Sequence, residues 1–347
     1  MLNTRMLYSY NDVMIKPAVI SQVSSRKECN PYITIEGKEF LPIFTAPMST
    51  VVNEKNYHLW EENHIMPIMP RNINLVVRNN YARSGKWAAF SLNEFYEMFC
   101  NPYGPNNSTI VWKALIDVAN GHMKIMYDYV KKAKEIHGDK IQIMVGNIAN
   151  PETYKKCYEA GVWGVRCSIG SGGACLTASN TGTYYPIASL ISEIAQIKKD
   201  IFLFNNILDK EWEDFPKIIA DGGVRNFCDI NKALALGADY TMVGGIFAAL
   251  EESAGATIND NGTKYKEFYG MASREGQIAI SGKKTKTSEG LRKQIPITGT
   301  IPQWTENMRD YLRSAMSYCD ITDVKDFNAD NVETIIISPN TKNSINK

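Results

Sequence analysis

Cys175 is the side chain whose local sequence best suits a chemical nucleophile. It lies in a glycine-rich run, IGSGGACLT, over Ile169–Thr177. Glycines let the backbone approach a ligand closely, and their N–H groups can face an anion. A thiolate in such a loop can attack an electrophilic carbon. The alternative is that Cys175 packs as a small hydrophobic residue, as most free cysteines do. Packing is expected for the other six cysteines: Cys29, Cys100, Cys157, Cys167, Cys228 and Cys319.

Two further glycine pairs suggest a phosphate site. Gly222 and Gly223 follow Asp221 at the end of one apolar run, and Gly244 and Gly245 end the next. Each pair alone could be a tight turn. In a barrel of parallel strands, however, the last two strand ends commonly bind phosphate, and the Asp221 carboxylate could accept bonds from ribose hydroxyls. Together they predict a phosphorylated ligand.

Composition excludes several classes of protein. The 347 residues are 44% hydrophobic, and 38 basic residues nearly balance 37 acidic ones, so neither disorder nor non-specific binding of nucleic acid or of a membrane is expected. No apolar run reaches the roughly 18 residues of a spanning helix, and Arg5, Asp12 and Lys16 interrupt any signal peptide. Seven cysteines without a C-x-x-C pair and four histidines argue against disulfides or zinc. We expect a soluble cytoplasmic protein.

The elements that would position these side chains are eight short apolar runs with helical patterns between them, such as Met123–His137, Pro151–Ala160 and Ile230–Leu236. Such alternation predicts an α/β fold, and eight units favour a TIM (β/α)8 barrel, whose active site lies at the carboxyl ends of its strands. The runs are Pro42–Ala46, Ile65–Met69, Trp87–Ser91, Ala114–Ala119, Ile141–Gly146, Gly164–Ser168, Lys217–Asp221 and Tyr240–Gly244.

One domain is expected over residues 1–347, with the barrel at about 40–320. The glycine- and lysine-rich stretch 251–299 is predicted to be a mobile flap over the barrel mouth. Residues 200–215 suggest an inserted surface excursion. The polar tail, about 320–347, contains one strand-like run, ETIIIS, and then an end that we expect to fray.

Seven segments in this order resemble the IMP dehydrogenase and GMP reductase family, over roughly residues 8–319. They are YNDVMIKP (10–17), APMSTV (46–51), DVANGH (117–122), GNIANPE (146–152), GSGGACLT (170–177), the run from Ile218 to Gly245, and YGMAS (269–273). In that family a cysteine thiolate attacks C2 of a purine nucleotide, and hydride passes between C2 and a nicotinamide cofactor. The resemblance therefore implies the same role for Cys175.

Four features of the sequence favour the reductase branch, which converts GMP to IMP and ammonia. Only Pro70–Lys86 lies where many dehydrogenases insert a pair of regulatory modules, and DVANGH resembles the reductase version of its loop. The segment Thr287–Gly299 resembles the reductase segment with a catalytic glutamate, here Glu289, and lacks the Arg-Tyr pair with which dehydrogenases activate water. The flap is also short. The alternatives are a dehydrogenase without the modules, which makes XMP from IMP and NAD, a silent nucleotide-binding homologue, and a flavin-dependent barrel.

The resemblance also implies roles for individual residues. Thr177 and Glu289 would relay a proton to the leaving ammonia, with Glu275 as a second carboxylate on the flap. NADPH is the expected cofactor, with NADH left open, and the loop carbonyls of Gly170 and Gly172 would hold potassium if the protein uses it. A homotetramer is expected. Besides Asp221 and the glycine pairs, the implied substrate contacts are Tyr269, Gly270, Met271, Lys286 and Ser288, and the implied cofactor contacts are Asp117, Asn120 and Gly121.

Three departures from the family pattern lie in the nucleotide pocket. Gly173 stands where the loop usually has a serine that contacts phosphate, and Ala272 where reductases usually offer a serine to the base. Lys286 replaces an arginine, so a point charge replaces a planar bidentate fork. These changes bear on which base is bound more than on the chemistry.

Overall fold

Strands form where short apolar runs are bounded by glycine, proline or polar residues. The computed structural model describes residues 4–101, 109–205, 211–283 and 287–345. Its strands are β1 Val13–Ile15, β2 Ile33–Ile35, β3 Lys38–Phe40, β4 Ile43–Thr45, β5 Ala88–Phe90, β6 Trp112–Asp117, β7 Ile141–Ile148, β8 Gly164–Cys167, β9 Lys217–Asp221, β10 Tyr240–Val243, β11 Thr257–Asp260, β12 Thr263–Tyr269, β13 Arg292–Pro296 and β14 Thr334–Ile336.

Helices alternate with the strands of the central sheet, as the sequence predicts. They are α1 Tyr57–Glu62, α2 Leu75–Arg83, α3 Leu92–Phe99, α4 Lys124–His137, α5 Thr153–Ala160, α6 Thr177–Thr181, α7 Ile187–Asn205, α8 Phe227–Ala235, α9 Gly245–Ala248, α10 Arg274–Ser281, α11 Ile301–Tyr318 and α12 Pro339–Ile345. None of the helices in the described ranges combines the length and apolar character needed to cross a membrane.

The central sheet is parallel throughout, in the order β4-β10-β9-β8-β7-β6-β5. These seven strands match seven of the eight predicted runs within two residues at either end. Parallel pairing of consecutive βα units, curled so that β10 pairs with β4, is the arrangement of a TIM-type barrel. The predicted fold class is therefore confirmed.

The second predicted strand, residues 65–69, closes the ring without forming a continuous ladder. Met66 bridges Phe44 on one side and Met69 bridges Ala88 on the other. Pro67 lies between them and has no N–H to donate, so the pairing is reduced to two bridges. The segment that follows contains helix α2 in place of a large insertion.

Side chains of the barrel strands alternate between two buried layers. Phe44, Leu115 and Met144 belong to the cluster that fills the barrel, and their strand neighbours pack against the surrounding helices. Trp163 packs against Trp87 of the inner cluster, with ring centroids 4.7 Å apart and ring planes tilted by 43°. The barrel is thus a packed core, which leaves its carboxyl end as the place for a site.

The predicted flap region contains a three-stranded antiparallel sheet, β11-β12-β13, and helix α10. The turn between β11 and β12 has positive φ angles at Asn261 (49°) and at Gly262 (85°). Two positive φ angles are those of the tight turn that joins twisted strands, and Asn-Gly is its typical sequence. This regular structure was not anticipated from the lysine-rich sequence.

The tail is also more regular than the sequence suggests. The ETIIIS run forms β14, which pairs antiparallel with β1, so the two ends of the described chain meet. Helix α12 follows where a frayed end was expected. In the predicted excursion, α7 continues to Asn205 and Phe215 is buried.

Candidate active site

The carboxyl ends of the barrel strands open into a cavity of about 890 Å³. This volume is at the upper end of the range of small-molecule sites, roughly 300–1,000 Å³. Thirteen of the eighteen residues that the sequence predicts for the site line its wall: Cys175, Thr177, Glu289, Asp221, Gly222, Gly223, Gly244, Gly245, Gly270, Met271, Asp117, Gly170 and Gly172. The structure thus brings together side chains that lie far apart in the sequence.

Cys175, Thr177 and Glu289 form a continuous hydrogen-bonded chain. The Cys175 thiol lies 3.4 Å from Thr177 Oγ1 and can donate to it. The Thr177 hydroxyl in turn donates to Glu289 Oε2 at 2.8 Å. Because each donor reaches the next acceptor, a proton can pass between the sulfur and the carboxylate.

Glu289 owes its position to backbone pairing between the flap and the cysteine loop. Leu176 N–H donates to the Glu289 carbonyl at 2.8 Å, and Leu291 N–H donates to the Ala174 carbonyl at 2.9 Å. Glu289 N–H also donates to the Ala272 carbonyl at 3.0 Å. The register of the flap segment therefore determines that Glu289 faces Thr177.

The other cysteines lie in different environments. Cys29, Cys100, Cys157, Cys167 and Cys319 are buried, as predicted. Burial raises the pKa of Cys100 to about 11 and that of Cys157 to about 12, so both remain thiols at neutral pH. For Cys228 the packing prediction is wrong, because it lies exposed in the first turn of α8, where its thiol donates to Asn226 Oδ1 at 2.9 Å.

A buried guanidinium connects two carboxylates at the floor of the cavity. Arg166, in β8, donates to Asp117 Oδ1 at 2.5 Å and to Asp221 Oδ2 at 2.8 and 3.1 Å. Burial disfavours its charge, but the carboxylates of Asp221 and Asp117 outweigh burial and raise the pKa of Arg166. Asn147 also donates to Asp221 Oδ2, at 2.7 Å. The bonds that Asp221 accepts from Arg166 and Asn147 all reach Oδ2, so that, among the described residues, Asp221 Oδ1 is left for a ligand.

The glycine loops have backbone conformations that require glycine. Gly170 and Gly223 have φ angles of +85° and +73°. A Cβ on Gly170 would lie 2.7 Å from the Cβ of Ala178, so no side chain fits there. The two loops also contact each other, since Gly223 N–H donates to the Ser171 carbonyl at 3.1 Å. The glycines thus form a close-packed cradle of backbone at one side of the cavity.

Asn120 and Gly121 lie outside the cavity wall although Asp117 lies in it. Asn120 Oδ1 accepts the His122 N–H within its own turn, and Gly121 packs against the Asn147 carbonyl, which accepts its N–H at 2.8 Å. Burial lowers the pKa of His122, whose Nε2 accepts the Ala149 N–H. This loop is therefore tied to the next one by its own polar groups.

Two more predicted substrate residues are not in the wall. Tyr269 alternates with Phe268 in β12, and it is Phe268 that lines the cavity. The Ser288 hydroxyl donates to the Gly290 carbonyl at 3.0 Å, within the flap segment. Lys286 lies outside the described residues.

Sequence reasoning gave no role to several polar residues of the wall, and three of them make contacts that matter here. They are Arg166, Asn147 and Lys293. A charged residue inside the buried run GVRCS was an available signal for Arg166, because an interior strand normally carries a charge only when it is paired. Asn147 lies in the quoted segment GNIANPE without having been given a role. Lys293 had no signal, since it is one of many flap lysines.

A cysteine, a hydroxyl and a carboxylate joined in one hydrogen-bonded chain at the mouth of a barrel are typical of an enzyme that uses a covalent intermediate. A sequence profile of the IMP dehydrogenase / GMP reductase domain matches residues 110–344, about two-thirds of the chain. GMP reductases of Staphylococcus aureus strains JH9, JH1 and Mu50 / ATCC 700699 are each 29% identical over 332 residues. The matched region covers 92% of this chain and 93% of each relative. The chain belongs to the IMP dehydrogenase / GMP reductase family, whose members are oxidoreductases that act on purine nucleotides.

Proposed function

We propose that this protein is a reductase that converts GMP to IMP and ammonia with NADPH as the hydride donor. The observation that carries the proposal is the chain of hydrogen bonds from Cys175 through Thr177 to Glu289. Its direction supports proton removal from the thiol, because the thiol donates to the hydroxyl and the hydroxyl donates to the carboxylate. The thiolate is the form of cysteine that attacks.

In the first half of the reaction one proton moves twice, from the thiol to Glu289 and then from Glu289 to the leaving amine. Glu289 takes the thiol proton through Thr177, and the Cys175 sulfur forms a bond to C2 of the purine. The exocyclic amine on C2 is a poor leaving group unless it is protonated. Glu289 returns the proton to that nitrogen through Thr177, so that the carbon–nitrogen bond breaks and ammonia leaves. The sulfur–carbon adduct remains, and Glu289 is again a carboxylate ready to act as a base.

The second half completes the balance of the reaction. When bound, the reduced nicotinamide supplies the hydride that adds to C2. The carbon–sulfur bond then breaks and the Cys175 thiolate leaves with its electron pair, which yields IMP. The enzyme recovers its thiol by taking one proton from solvent. The sum is GMP, reduced cofactor and one proton giving IMP, ammonia and oxidised cofactor.

The wall of the cavity supports separate places for the nucleotide and the cofactor. Asp221 Oδ1 is available for the ribose hydroxyls. The glycines at the ends of β9 and β10, apart from Gly223, whose N–H donates to the Ser171 carbonyl, would offer backbone N–H groups to the phosphate. Asp117 lies on the far side of Arg166 from Asp221 and is the predicted cofactor residue that reaches the cavity. The Asp117 carboxylate would accept a hydrogen bond from a hydroxyl of the cofactor.

A homotetramer and a potassium site belong to the same proposal. Val19, Ile20 and Tyr318 are 98%, 72% and 68% exposed, and the Ala18 N–H donates to the Tyr318 carbonyl, so these apolar side chains adjoin on one surface. Exposed apolar side chains support contact between subunits. Light scattering at micromolar concentration should give the tetramer mass.

The potassium site would lie in the cysteine loop. The Gly172 carbonyl accepts the Cys175 N–H and keeps a second lone pair for a cation.

The direct test is an absorbance assay of the reduced nicotinamide. Wild-type protein should consume NADPH with GMP and release ammonia, and should make no XMP from IMP and NAD. Cys175→Ala should abolish the activity while GMP binding stays within about tenfold, because phosphate and ribose contacts do not involve the thiol. Cys228→Ala, at an exposed cysteine outside the cavity, is the matched control and should be fully active. Sustained XMP formation without ammonia release from GMP would reassign the protein to the dehydrogenase branch.

A further inference from the structure

Lys293 reaches from the flap strand β13 to the loop that carries Cys175. Side chains alternate along a strand, and Lys293 and Ile295 line the cavity whereas Arg292 pairs with Glu267 at 2.6 Å. The Lys293 ammonium donates to the Gly173 carbonyl at 2.8 Å. An ammonium has three N–H donors, so two remain for a ligand.

The ammonium lies where the glycine loops meet. Lys293 pairs with Phe268 in the β12–β13 ladder, and the Phe268 ring is 3.7 Å from where a Cβ on Gly245 would lie. The loop of Gly173 is also joined to the loop of Gly223 by the bond from Gly223 N–H to the Ser171 carbonyl. Lys293 therefore borders the backbone groups that are proposed to receive the phosphate.

A phosphate brought into this cavity needs a cation, and three cations line the wall: Arg166, Arg225 and Lys293. Arg166 is held by Asp117 and Asp221, and Arg71 lies 3.9 Å from Asp117 Oδ2, so the carboxylates of the floor already have cationic partners. A nucleotide phosphate brings about −1.5 to −2 more at pH 7. Arg166 cannot serve the phosphate without abandoning its carboxylates, which would leave buried charges unpaired. The Lys293 ammonium contacts the carbonyl of Gly173 and has no carboxylate partner among the described residues.

From this geometry we infer that Lys293 binds the phosphate of the nucleotide, and that it thereby helps to position Glu289. The inference deepens the proposed function and rests on it. Both residues lie on one flap segment, four positions apart, and that segment pairs with the cysteine loop through Leu291 N–H and the Ala174 carbonyl. A phosphate held by Lys293 fixes the same backbone that sets Glu289 beside Thr177. Binding energy from a group remote from C2 is thus used to assemble the proton relay.

The test compares GMP with guanosine, which lacks the phosphate. Lys293→Met keeps most of the side-chain length and removes the charge, and Lys293→Arg keeps the charge. Lys264→Met is the matched control, because Lys264 lies on the neighbouring strand β12, pairs with Glu251 and is outside the cavity wall. Dissociation constants come from calorimetry, kcat from NADPH oxidation, and folding from thermal unfolding.

Lys293→Met should weaken GMP binding by about ten- to hundredfold, the effect of losing a charge-assisted hydrogen bond, and should leave guanosine binding unchanged. Its kcat with GMP should fall toward the wild-type kcat with guanosine. Lys293→Arg should recover most of the preference for GMP, and Lys264→Met should retain all of it. An unchanged preference in Lys293→Met, or an equal loss for GMP and guanosine, would overturn the role of Lys293. If the preference is lost as expected but the wild type does not oxidise NADPH with GMP, the phosphate role stands and the proposed reaction fails.

Discussion

The floor of the cavity and the flap above it are stabilised by different interactions. At the floor, β8 is buried along its whole length and Arg166 is held by two carboxylates. In the flap, β13 is mostly exposed, and the segment just before it, residues 289–291, meets the cysteine loop through individual backbone hydrogen bonds. The floor therefore offers fixed groups for recognition. The flap contributes Glu289 only when its backbone is in register with the cysteine loop.

Energies of the two regions differ in the same direction. Removing one member of a buried ion pair typically costs about 3–5 kcal/mol, because it leaves a buried charge without its partner. A single backbone hydrogen bond contributes about 0.5–1.5 kcal/mol net. Contacts of the flap can thus be broken one at a time at small cost, whereas the floor is lost only with the barrel. Substitutions in the two regions should separate catalysis from binding.

The largest effect should come from the flap, with Glu289→Gln. The amide cannot take a proton from Thr177, so ammonia release from GMP should slow by about 10²–10⁴-fold, as expected for a general acid–base group. Hydride exchange between IMP and the cofactor needs no such proton and should suffer much less. Rapid quench of ammonia release and isotope exchange into IMP measure the two steps separately.

Glu275→Gln is the control for that experiment. Glu275 lies in α10, outside the cavity wall, although the sequence leaves it open as a second relay carboxylate. It should retain wild-type ammonia release. An equal loss in both steps of the Glu289 variant would show a positioning defect of the flap and would exclude the relay.

An intermediate effect is expected at the floor, with Asp221→Ala. Loss of its bond to the ribose should weaken GMP binding by about 1.5–3 kcal/mol, the usual contribution of a charge-assisted hydrogen bond. Arg166 keeps Asp117 as a partner, so the variant should fold with a lowered melting temperature. Calorimetry with GMP and a thermal scan measure the two effects. A lowered melting temperature with an unchanged dissociation constant would assign Asp221 to the support of Arg166 alone.

The barrel could be predicted from sequence because its signals are local. Short apolar runs alternate with helical patterns, and each carries its own boundaries in glycine or proline. The flap sheet was missed for the opposite reason, since the lysines of KYKEFY mask the alternation in β12, and an exposed antiparallel sheet needs little apolar surface. The Asn261-Gly262 turn was the one strong local signal for it.

The relay residues of the site came from the family resemblance, and composition alone left Cys175 undecided between nucleophile and packing. What no local pattern could give is which side chains meet across the cavity. The Arg166 bridge joins strands β6, β8 and β9, and the Lys293 contact depends on the register between the flap and the loop of Gly173. Both are properties of tertiary arrangement. Tyr269 illustrates the converse, because strand alternation turns the matched residue away and presents Phe268 in its place.

The smallest effect should be that of Asn120→Ala, which tests how the family pattern applies on the cofactor side. Its Oδ1 accepts the His122 N–H at 3.1 Å, and it lies outside the cavity wall. We expect the free energy of unfolding to change by no more than about 0.5 kcal/mol, the usual range for exposed substitutions. The KM for NADPH should change by no more than the roughly twofold to which that energy corresponds. Asp117→Asn, at the wall, should raise the same KM about tenfold or more, because a charge-assisted bond is lost. If the two variants raise KM equally, the loop from Ala119 to His122 must close onto the cofactor, and the tie between His122 and Ala149 would then have to break on binding.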